Sequence, residues 1–403
     1  MRTFAAMLLG KVARFLLRLV RRGGGSALPG TIAFKIQPRL LSRAIASAPH
    51  GLIAVSGTAG KSTTTKVIVE LLRAAGLKVF TNPSTANIRQ GLYAAVLQFG
   101  DLRGRIDADI VVLELDEGHG AALISELRPR TSVLTNVLSD QLDRFVDPEF
   151  VQDKLRRIAA ASELVILNGD DPNLLEFAQE VNSLAFGLGR TFEGERPEYA
   201  INFSQPDPLP ISAEVVRVEG TSAEIATKRA RYFVKLPSAG THQALNIAAA
   251  IAAVEQTVVI DQELVETTLE NMPVVFARDE RTEIAGREVR LMLVQNSVSF
   301  NLNLENISGQ ETPLMLMAGS DIHDPSWLWA VDFSKLTRVD VVGGLNAYDL
   351  ALALTYSGVE IGRVIQSPQD AADYFLELPG DSPTIMFSAD AMRRTRRHLG
   401  LAK

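Results

Sequence analysis

The feature that most constrains the fold is a glycine-rich segment set between an apolar run and a helical pattern. Leu52-Ile53-Ala54-Val55 predicts a short buried strand, and residues 63–75 predict a helix that ends at Gly76. Between them lies Ser56-Gly57-Thr58-Ala59-Gly60-Lys61-Ser62. In such a loop, backbone N–H groups bind phosphate oxygens at a helix N-terminus, the lysine neutralises the outer phosphates and the next hydroxyl binds magnesium. The segment therefore predicts a nucleotide-binding phosphate loop.

A magnesium site is predicted beside this loop. Mg²⁺ prefers oxygen ligands, and one or two carboxylates at the end of a neighbouring strand would complete the site that Ser62 begins. Leu113-Glu114-Leu115-Asp116-Glu117 closes the apolar run at 110–113. We expect Glu114, and after it Glu117, to hold the metal. The alternative is that some of these carboxylates are solvated or cap a helix.

The remaining pattern predicts an α/β fold. Further strands are predicted at 78–80, 110–113, 132–134 and 164–167, and helix-compatible sequence separates each from the next, which is typical of a mostly parallel sheet. From about Phe186 to Leu236, short alternating segments indicate antiparallel strands appended to that sheet. A second α/β unit starts near Thr282. The predicted organisation is an N-terminal helical and linker segment (1–50), a central ATP-binding domain (51–275) and a C-terminal Rossmann-like domain (276–403).

Composition excludes several functions. With 41 basic and 47 acidic residues the net charge is −6, so the chain lacks the basic surface expected of a nucleic-acid-binding protein. There is no cysteine. Disulfides, thiolate zinc sites and a cysteine nucleophile within this chain are therefore excluded, and no zinc is expected.

The N-terminus predicts an amphipathic helix. Its apolar residues recur at helical spacing with arginines largely on the other side, and its charges interrupt any stretch long enough to span a bilayer. Two interpretations stay open: a helix packed on the following domain, or a helix at a membrane surface. Residues 23–30 are rich in glycine and predict a linker or turn, after which the ordered domain begins. We expect a cytoplasmic protein, with a peripheral position at the inner face of the membrane as the open alternative. The apolar residues are Leu8, Leu9, Val12, Phe15, Leu16 and Leu19.

Several segments together resemble the Mur ligase family, and within it the MurT subfamily, over nearly the whole chain. Their order and spacing carry the resemblance, since each one alone is short. They are Gly23 to Gly30, the loop at 56–65, Thr81-Asn82-Pro83-Ser84 with Ala86-Asn87, Leu113 to Glu117, Asp140-Gln141-Leu142-Asp143-Arg144-Phe145, Leu167-Asn168-Gly169-Asp170-Asp171-Pro172, Leu236-Pro237-Ser238-Ala239-Gly240-Thr241-His242 with Asn246, Asp324-Pro325-Ser326-Trp327-Leu328-Trp329, and Val341-Val342-Gly343-Gly344 with Asp349.

The resemblance implies a reaction and a partner. ATP phosphorylates a carboxylate to an acyl phosphate, and an amine then displaces phosphate to leave an amide. In the MurT subfamily the carboxylate is the α-carboxyl of D-glutamate in the lipid II stem peptide, and a GatD-like glutaminase in a heterodimer supplies ammonia. Only 55 residues precede Ser56, fewer than a typical domain of about 100 residues. We therefore expect no separate nucleotide-sugar domain, which suits a lipid-linked substrate.

The resemblance also implies residue roles. Lys61 would hold the β and γ phosphates, Arg278 would approach the γ-phosphate, and Asp324 would complete the partner's catalytic triad. Asp324 could instead simply form a turn before proline. Lys154 lies where other Mur ligases carry a carbamoylated lysine. The residues expected around the nucleotide are Gly57, Thr58, Gly60, Lys61, Ser62, Thr63, Asn168, Asp171, His242, Asn246 and Arg278.

Two other functions stay open. One is a Mur-like or folylpolyglutamate-synthase-like ligase that adds an amino acid in place of ammonia. The other is a nucleotide-binding scaffold without catalysis. Loss of ATP turnover in Lys61→Ala would indicate an enzyme, because a scaffold has no turnover to lose.

Overall fold

A computed structural model describes most of the chain as two compact units. The first comprises the described residues up to Leu138 and from 148 to Met272, and the second those from 278 to 401. The predicted domain boundaries at 50 and 275 stay predictions. The described residues are 2–20, 27–82, 89–138, 148–200, 206–237, 239–272, 278–294, 297–305, 307, 312–320, 322 and 325–401.

The first unit alternates strands and helices along most of its length. Its helices are α1 (Arg2–Val20), α2 (Ala27–Ile36), α3 (Leu40–Ile45), α4 (Lys61–Ala74), α5 (Arg89–Phe99), α6 (Glu117–Leu127), α7 (Pro148–Ala160), α8 (Pro172–Leu175), α9 (Thr241–Glu255) and α10 (Gln262–Asn271). Its strands are β1 (Leu52–Ser56), β2 (Val79–Thr81), β3 (Ile110–Glu114), β4 (Thr131–Leu134), β5 (Leu164–Asn168), β6 (Ser183–Leu188), β7 (Ile211–Glu219), β8 (Ser222–Thr227) and β9 (Arg231–Lys235).

These strands form one sheet in the order β2-β3-β1-β4-β5-β6-β7-β8-β9. Pairing is parallel from β2 to β7 and antiparallel from β7 to β9. Every residue of β1, β3 and β4 is buried, as expected for central parallel strands with helices on both faces. Helices α4 and α9 contribute Val67, Leu71, Ile247 and Ile251 to the core on one of these faces.

Two details of the predicted first unit are wrong. The antiparallel region does not begin at Phe186, because Phe186 lies in β6, which pairs in parallel with β5 and with β7. Ala27 to Gly30 are helical, since α2 begins at Ala27. Pro29 is tolerated there because the first helical turn leaves its N–H groups unpaired in any case. Residues 23–26 of the predicted linker lie outside the described residues.

Helix α1 packs on the first unit through Met7 and through small and polar residues. Thr3, Ala6, Met7 and Gly10 are buried, whereas the large apolar residues that define the predicted pattern are exposed from Leu8 to Leu16. The ordered unit therefore includes α1 and does not begin after the predicted linker. Within the described residues, no helix has both the length and the apolar character required to cross a bilayer.

The second unit contains a six-stranded sheet in the order β10-β11-β15-β12-β13-β14. Among the described strands of this unit, only β10 and β11 pair antiparallel. This unit is the predicted second α/β fold. Its strands are β10 (Arg278–Ile284), β11 (Arg287–Leu293), β12 (Leu314–Met317), β13 (Arg338–Gly343), β14 (Glu360–Ile365) and β15 (Thr384–Phe387). Its helices are α11 (Ser297–Glu305), α12 (Ala347–Tyr356), α13 (Pro368–Glu377) and α14 (Ala389–His398), with 3-10 turns at Pro325–Ala330 and Phe333–Lys335.

Candidate functional site

The glycine-rich loop connects β1 to α4, as its sequence predicts. Gly57 has φ 131° and Gly60 has φ 83°, backbone conformations that residues with a Cβ rarely adopt. Ser62 and Thr63 are buried in the first turn of α4. The loop therefore presents backbone N–H groups at a helix N-terminus, the arrangement that favours phosphate binding.

Both glycines also lie against neighbouring groups at very short range. A Cβ on Gly60 would lie 2.1 Å from Oδ1 of Asn246, and a Cβ on Gly57 would lie 2.2 Å from Oγ1 of Thr135. Neither site has room for a larger residue. The shape of the loop is thus fixed both by backbone conformation and by the side chains behind it.

Two residues that the sequence analysis did not single out hold the loop in place. Asn136 accepts hydrogen bonds from the N–H of Thr58 through its carbonyl oxygen and from the N–H of Ala59 through Oδ1, each at 2.9 Å. Thr135 Oγ1 donates to the carbonyl oxygen of Ala59 at 2.6 Å. The sequence could have indicated these residues only by their position, because they directly follow β4, the strand that pairs with β1.

Lys61 forms an ion pair within the loop region. Its Nζ lies 2.7 Å from Oε1 of Glu117 and also donates to the carbonyl oxygens of Gly57 and Thr58. The Glu117 side chain is 1% exposed and that of Lys61 is 14% exposed. Two predicted site residues, one from the loop and one from the start of α6, are therefore in direct contact.

Glu114 lies at the end of β3, next to the loop. Strand register pairs Glu114 with Val55, and Leu115 donates its N–H to the carbonyl oxygen of Val55 at 2.9 Å. Asn82 brackets the Glu114 backbone, accepting from its N–H at 3.0 Å and donating to its carbonyl oxygen at 3.1 Å. The intervening Asp116 caps α6 by accepting from the N–H of His119 at 3.1 Å. The capping alternative is therefore correct for Asp116.

The donor set fits a magnesium ion shared with phosphate. Ser62, Glu114 and Glu117 all offer oxygen, and Oε2 of Glu117 is buried without a hydrogen-bond partner among the described residues. Among all the residues that the structure describes, no group of three or more His, Asp or Glu side chains could hold a metal ion by itself. Magnesium usually takes one or two protein carboxylates together with substrate phosphates, so a complete protein cage is not required.

Helix α9 carries two more predicted residues and brings one of them, Asn246, against the loop. His242 and Asn246 are four residues apart and share a helix face. Asn246 is buried behind Gly60, and its Oδ1 lies 3.5 Å from Oγ1 of Thr64. The His242 ring lies against Gly240, where a Cβ would be 2.7 Å from Cε1. Asn246 therefore supports the loop from behind, and a direct contact with nucleotide stays a prediction for both residues.

Asn168 ends β5 and Asp171 lies just beyond it, and both residues bond to neighbouring loops. Asp171 is fully buried and accepts from the N–H of Val137 at 2.6 Å and of Asn173 at 2.9 Å, and burial raises the pKa of its carboxyl to about 6. Asn168 donates from Nδ2 to the Tyr199 hydroxyl at 3.1 Å. Asp171 thereby holds Val137, which directly follows Asn136. Nucleotide binding by Asn168 or Asp171 stays a prediction.

Three predicted residues lie away from these contacts or outside the described part of the chain. Arg278 begins β10, but its side chain is outside the described residues, as is Asp324. Lys154 lies on α7 with Nζ 4.2 Å from the Phe150 ring centroid and 3.7 Å from Oδ2 of Asp153. The contacts of Lys154 described here are those of an ordinary partly buried lysine, and its modification stays a prediction.

The fold and the loop together are typical of a nucleotide-dependent α/β enzyme. Comparison with family models identifies the family. Residues 55–254 match the Mur ligase middle domain, and residues 293–387 match the MurT ligase C-terminal domain. The chain belongs to the Mur ligase family. It is an ATP-dependent ligase, as the resemblance implies.

Within the family, the similarity extends over most of the chain to MurT. The MurT subunit of the lipid II isoglutaminyl synthase (glutamine-hydrolyzing) from Streptococcus pneumoniae is 24% identical, with 91% of this chain and 90% of that protein covered. The resemblance to the MurT subfamily is confirmed.

Solved structures confirm the predicted fold class. MurF from Acinetobacter baumannii superposes with a TM-score of 0.68 at 16% identity, covering 92% of this chain and 79% of that one. MurF from Thermotoga maritima, solved in complex with ADP, superposes with a TM-score of 0.64 at 20% identity, covering 94% of this chain and 86% of that one. At these identities the likeness concerns the fold alone.

Proposed function

We propose that this chain is the ligase subunit of a lipid II isoglutaminyl synthase and acts in peptidoglycan synthesis. Its substrate is the α-carboxyl of D-glutamate in the lipid II stem peptide, and its product carries D-isoglutamine. The observation that carries the proposal is the similarity to a MurT subunit over 91% of the chain. The constrained phosphate loop supports the ATP-dependent half of the reaction.

The loop binds the phosphates of ATP, which is a substrate of the reaction. N–H groups at the start of α4 face the phosphate oxygens, and Lys61 neutralises the β and γ phosphates. Lys61 leaves its contacts with the Gly57 and Thr58 carbonyl oxygens when it takes a phosphate oxygen. Ser62 holds magnesium together with Glu114 and Glu117, and the ion supplies neutralising charge for the terminal phosphates.

The reaction has two balanced steps. A carboxylate oxygen attacks the γ-phosphorus, the bond between that phosphorus and the bridging oxygen breaks, and ADP leaves with an acyl phosphate formed. The ammonia nitrogen then bonds to the acyl carbon and the carbon–oxygen bond to phosphate breaks. Phosphate carries away the original carboxylate oxygen and takes up the proton lost from nitrogen, so that it leaves as hydrogen phosphate. Lys61 stabilises the charge that develops on the transferring phosphoryl group.

Ammonia comes from a partner subunit. A glutaminase needs a nucleophile such as a cysteine thiolate, and this chain contains no cysteine. A GatD-like glutaminase in a heterodimer is the proposed source, with Asp324 orienting its histidine and Arg278 approaching the γ-phosphate. Both residue roles are tested by co-purification and turnover of Asp324→Asn and Arg278→Ala.

An isotope experiment tests the proposed reaction directly. Lipid II labelled with ¹⁸O in the D-glutamate α-carboxyl is incubated with the chain, ATP, magnesium and ammonium. We expect an amidated product and inorganic phosphate that carries one ¹⁸O atom. Lys61→Met should slow turnover by about 100- to 1000-fold, while the matched exposed variant Lys78→Met should not.

The alternatives give different results in the same assay. Phosphate without label would exclude the acyl phosphate. A product formed with an amino acid, but not with ammonium or with glutamine plus a glutaminase, would identify an amino-acid-adding ligase. A chain that binds nucleotide but releases no ADP under any of these conditions would be a scaffold.

A further inference from the structure

Helix α1 has two distinct faces, and the inner one fixes its orientation. Thr3 Oγ1 accepts from Nε2 of Gln37 at 3.0 Å and from Arg43 at 2.9 Å. At Gly10 the helix approaches Leu97 of α5 so closely that a Cβ would lie 2.5 Å from its Cδ2. Arg14 donates to Oε1 of Gln98 at 2.7 Å. These contacts span more than two turns, so the helix cannot rotate to bury its other face.

The outer face of α1 is apolar and exposed. At about 100° per residue, six large apolar residues fall within an arc of roughly 140°. No charged residue between positions 2 and 16 lies in that arc. Each of the six is between 43% and 63% exposed, a concentration of exposed apolar side chains that marks an interaction surface. This outer face consists of Phe4, Leu8, Leu9, Val12, Phe15 and Leu16.

A basic residue lies at each edge of the outer face. No acidic residue occurs in the sequence before Glu70, although the whole chain has a net charge of −6. Lys11 lies just beyond one edge of the apolar arc and Arg2 just beyond the other. The basic residues in the first 22 positions are Arg2, Lys11, Arg14, Arg18, Arg21 and Arg22.

We propose that α1 binds an anionic phospholipid surface, lying in the plane of the bilayer with its outer face among the acyl chains. Amphipathic helices with basic margins bind membranes in this way, because apolar burial and attraction to anionic headgroups add together. The charge of this region argues against a second copy of the chain as the occupant. Pairing two such faces by symmetry would bring basic margins together.

This inference deepens the proposed function and rests on it for its purpose. A lipid-linked substrate presents its reactive carboxyl at a membrane surface. Binding through α1 would concentrate the enzyme there without a spanning segment. The helix belongs to the same compact unit as the phosphate loop, so the whole ATP-binding unit would be carried to the membrane with it.

Vesicle sedimentation tests the proposal with the full chain. The vesicles contain either phosphatidylcholine alone or phosphatidylcholine mixed with phosphatidylglycerol, and neither contains lipid II. We expect binding to the anionic vesicles that weakens with salt. Leu8→Ser, Val12→Ser and Phe15→Ser combined should lower the partition coefficient by about a hundredfold or more. These positions are exposed, so the thermal unfolding temperature should not change.

A matched variant controls for the loss of apolar surface in general. Leu352→Ser, Val259→Ser and Phe233→Ser remove the same three residue types from exposed positions elsewhere, and vesicle binding should be retained. Replacing Lys11, Arg21 and Arg22 by glutamine should weaken binding to anionic vesicles only, which provides a test that leaves the apolar face intact.

Three results would overturn the inference. The wild-type chain could stay in the supernatant with anionic vesicles, or the triple serine variant could bind as well as wild type. Alternatively, light scattering could show a wild-type dimer that the triple variant dissociates, without vesicle binding by either, which would identify a second copy as the occupant. Because the vesicles lack lipid II, vesicle binding and the isotope assay can fail independently.

Discussion

The phosphate loop and the outer face of α1 belong to the same unit, and both are exceptions to the rule that apolar residues are buried and polar residues exposed. The loop region buries polar groups, whereas α1 exposes apolar ones. Around the loop, polar and charged groups such as Thr58, Glu114 and Glu117 are buried. On α1, six large apolar side chains are exposed, while Met7 and small or polar residues face the protein. A buried polar site needs partners within the fold, whereas an exposed apolar face gains stability only from a partner outside it. The first region is therefore a site organised by contacts within the fold. The second is a surface that binds a partner outside the fold.

The largest expected stability effect comes from the buried ion pair. Lys61→Met leaves the Glu117 carboxylate buried without its cation, and we expect the free energy of unfolding to fall by up to about 3–5 kcal/mol. Adding Glu117→Gln should recover much of this loss, because the uncompensated charge is removed. Chemical denaturation of the two variants measures the difference. Equal stability of both would show that the pair does not organise the loop.

The two faces of α1 should respond very differently to truncation. Met7 is fully buried, and Met7→Ala should cost about 2–5 kcal/mol. Leu8 is 43% exposed, and Leu8→Ala should change stability by less than about 0.5 kcal/mol. Denaturant titration of both variants tests the assignment of faces. A large cost at Leu8 would mean that the outer face is covered within the protein.

Asp171 should make stability depend on pH. Burial raises the pKa of Asp171 to about 6, above its value of about 3.9 in an unfolded chain. The folded state then binds this proton more tightly, so its contribution to the free energy of unfolding falls as pH rises from about 4 to 6, by on the order of 3 kcal/mol. Asp171→Asn lacks this contribution. A wild-type minus variant difference that stays constant over this range would contradict the pKa shift.

Substitution of Gly60 tests whether Asn246 packs closely against the loop. A Cβ there would meet Asn246 Oδ1, whereas Gly76, with a similar φ of 88°, has nothing within 4 Å. Gly60→Ala should therefore cost about 1–3 kcal/mol more than Gly76→Ala, because only Gly60 carries the steric term. In an Asn246→Ala background this excess should largely disappear. If the excess persists there, the strain arises from the backbone alone.

The sequence predicts the loop and the parallel strands well because both have local signatures. A glycine-rich turn between an apolar strand and a helix is encoded in the consecutive residues 52–75, and β1, β3 and β5 each begin with four consecutive apolar residues. The contact of Lys61 with Glu117 joins residues 56 positions apart, and only the adjacency of β1 and β3 brings them together. Thr135 and Asn136 were missed for the same reason.

The orientation of α1 could not be predicted from its pattern. Helical periodicity separates an apolar face from a basic one but does not say which of them meets the protein. Here the decisive positions are Gly10, which allows close approach to α5, and Thr3, which has polar partners. Both depend on the tertiary structure of α2, α3 and α5, and that information is not local to residues 2–20.

Calorimetric titration of the full chain with a non-hydrolysable ATP analogue and magnesium tests the central claim most directly, since every later step requires nucleotide on the loop. We predict one nucleotide per chain, displaced by ADP, with affinity at least about a hundredfold weaker in Lys61→Met and unchanged in Lys78→Met. Absence of binding by a folded wild-type chain, or equal affinity in wild type and Lys61→Met, would contradict it.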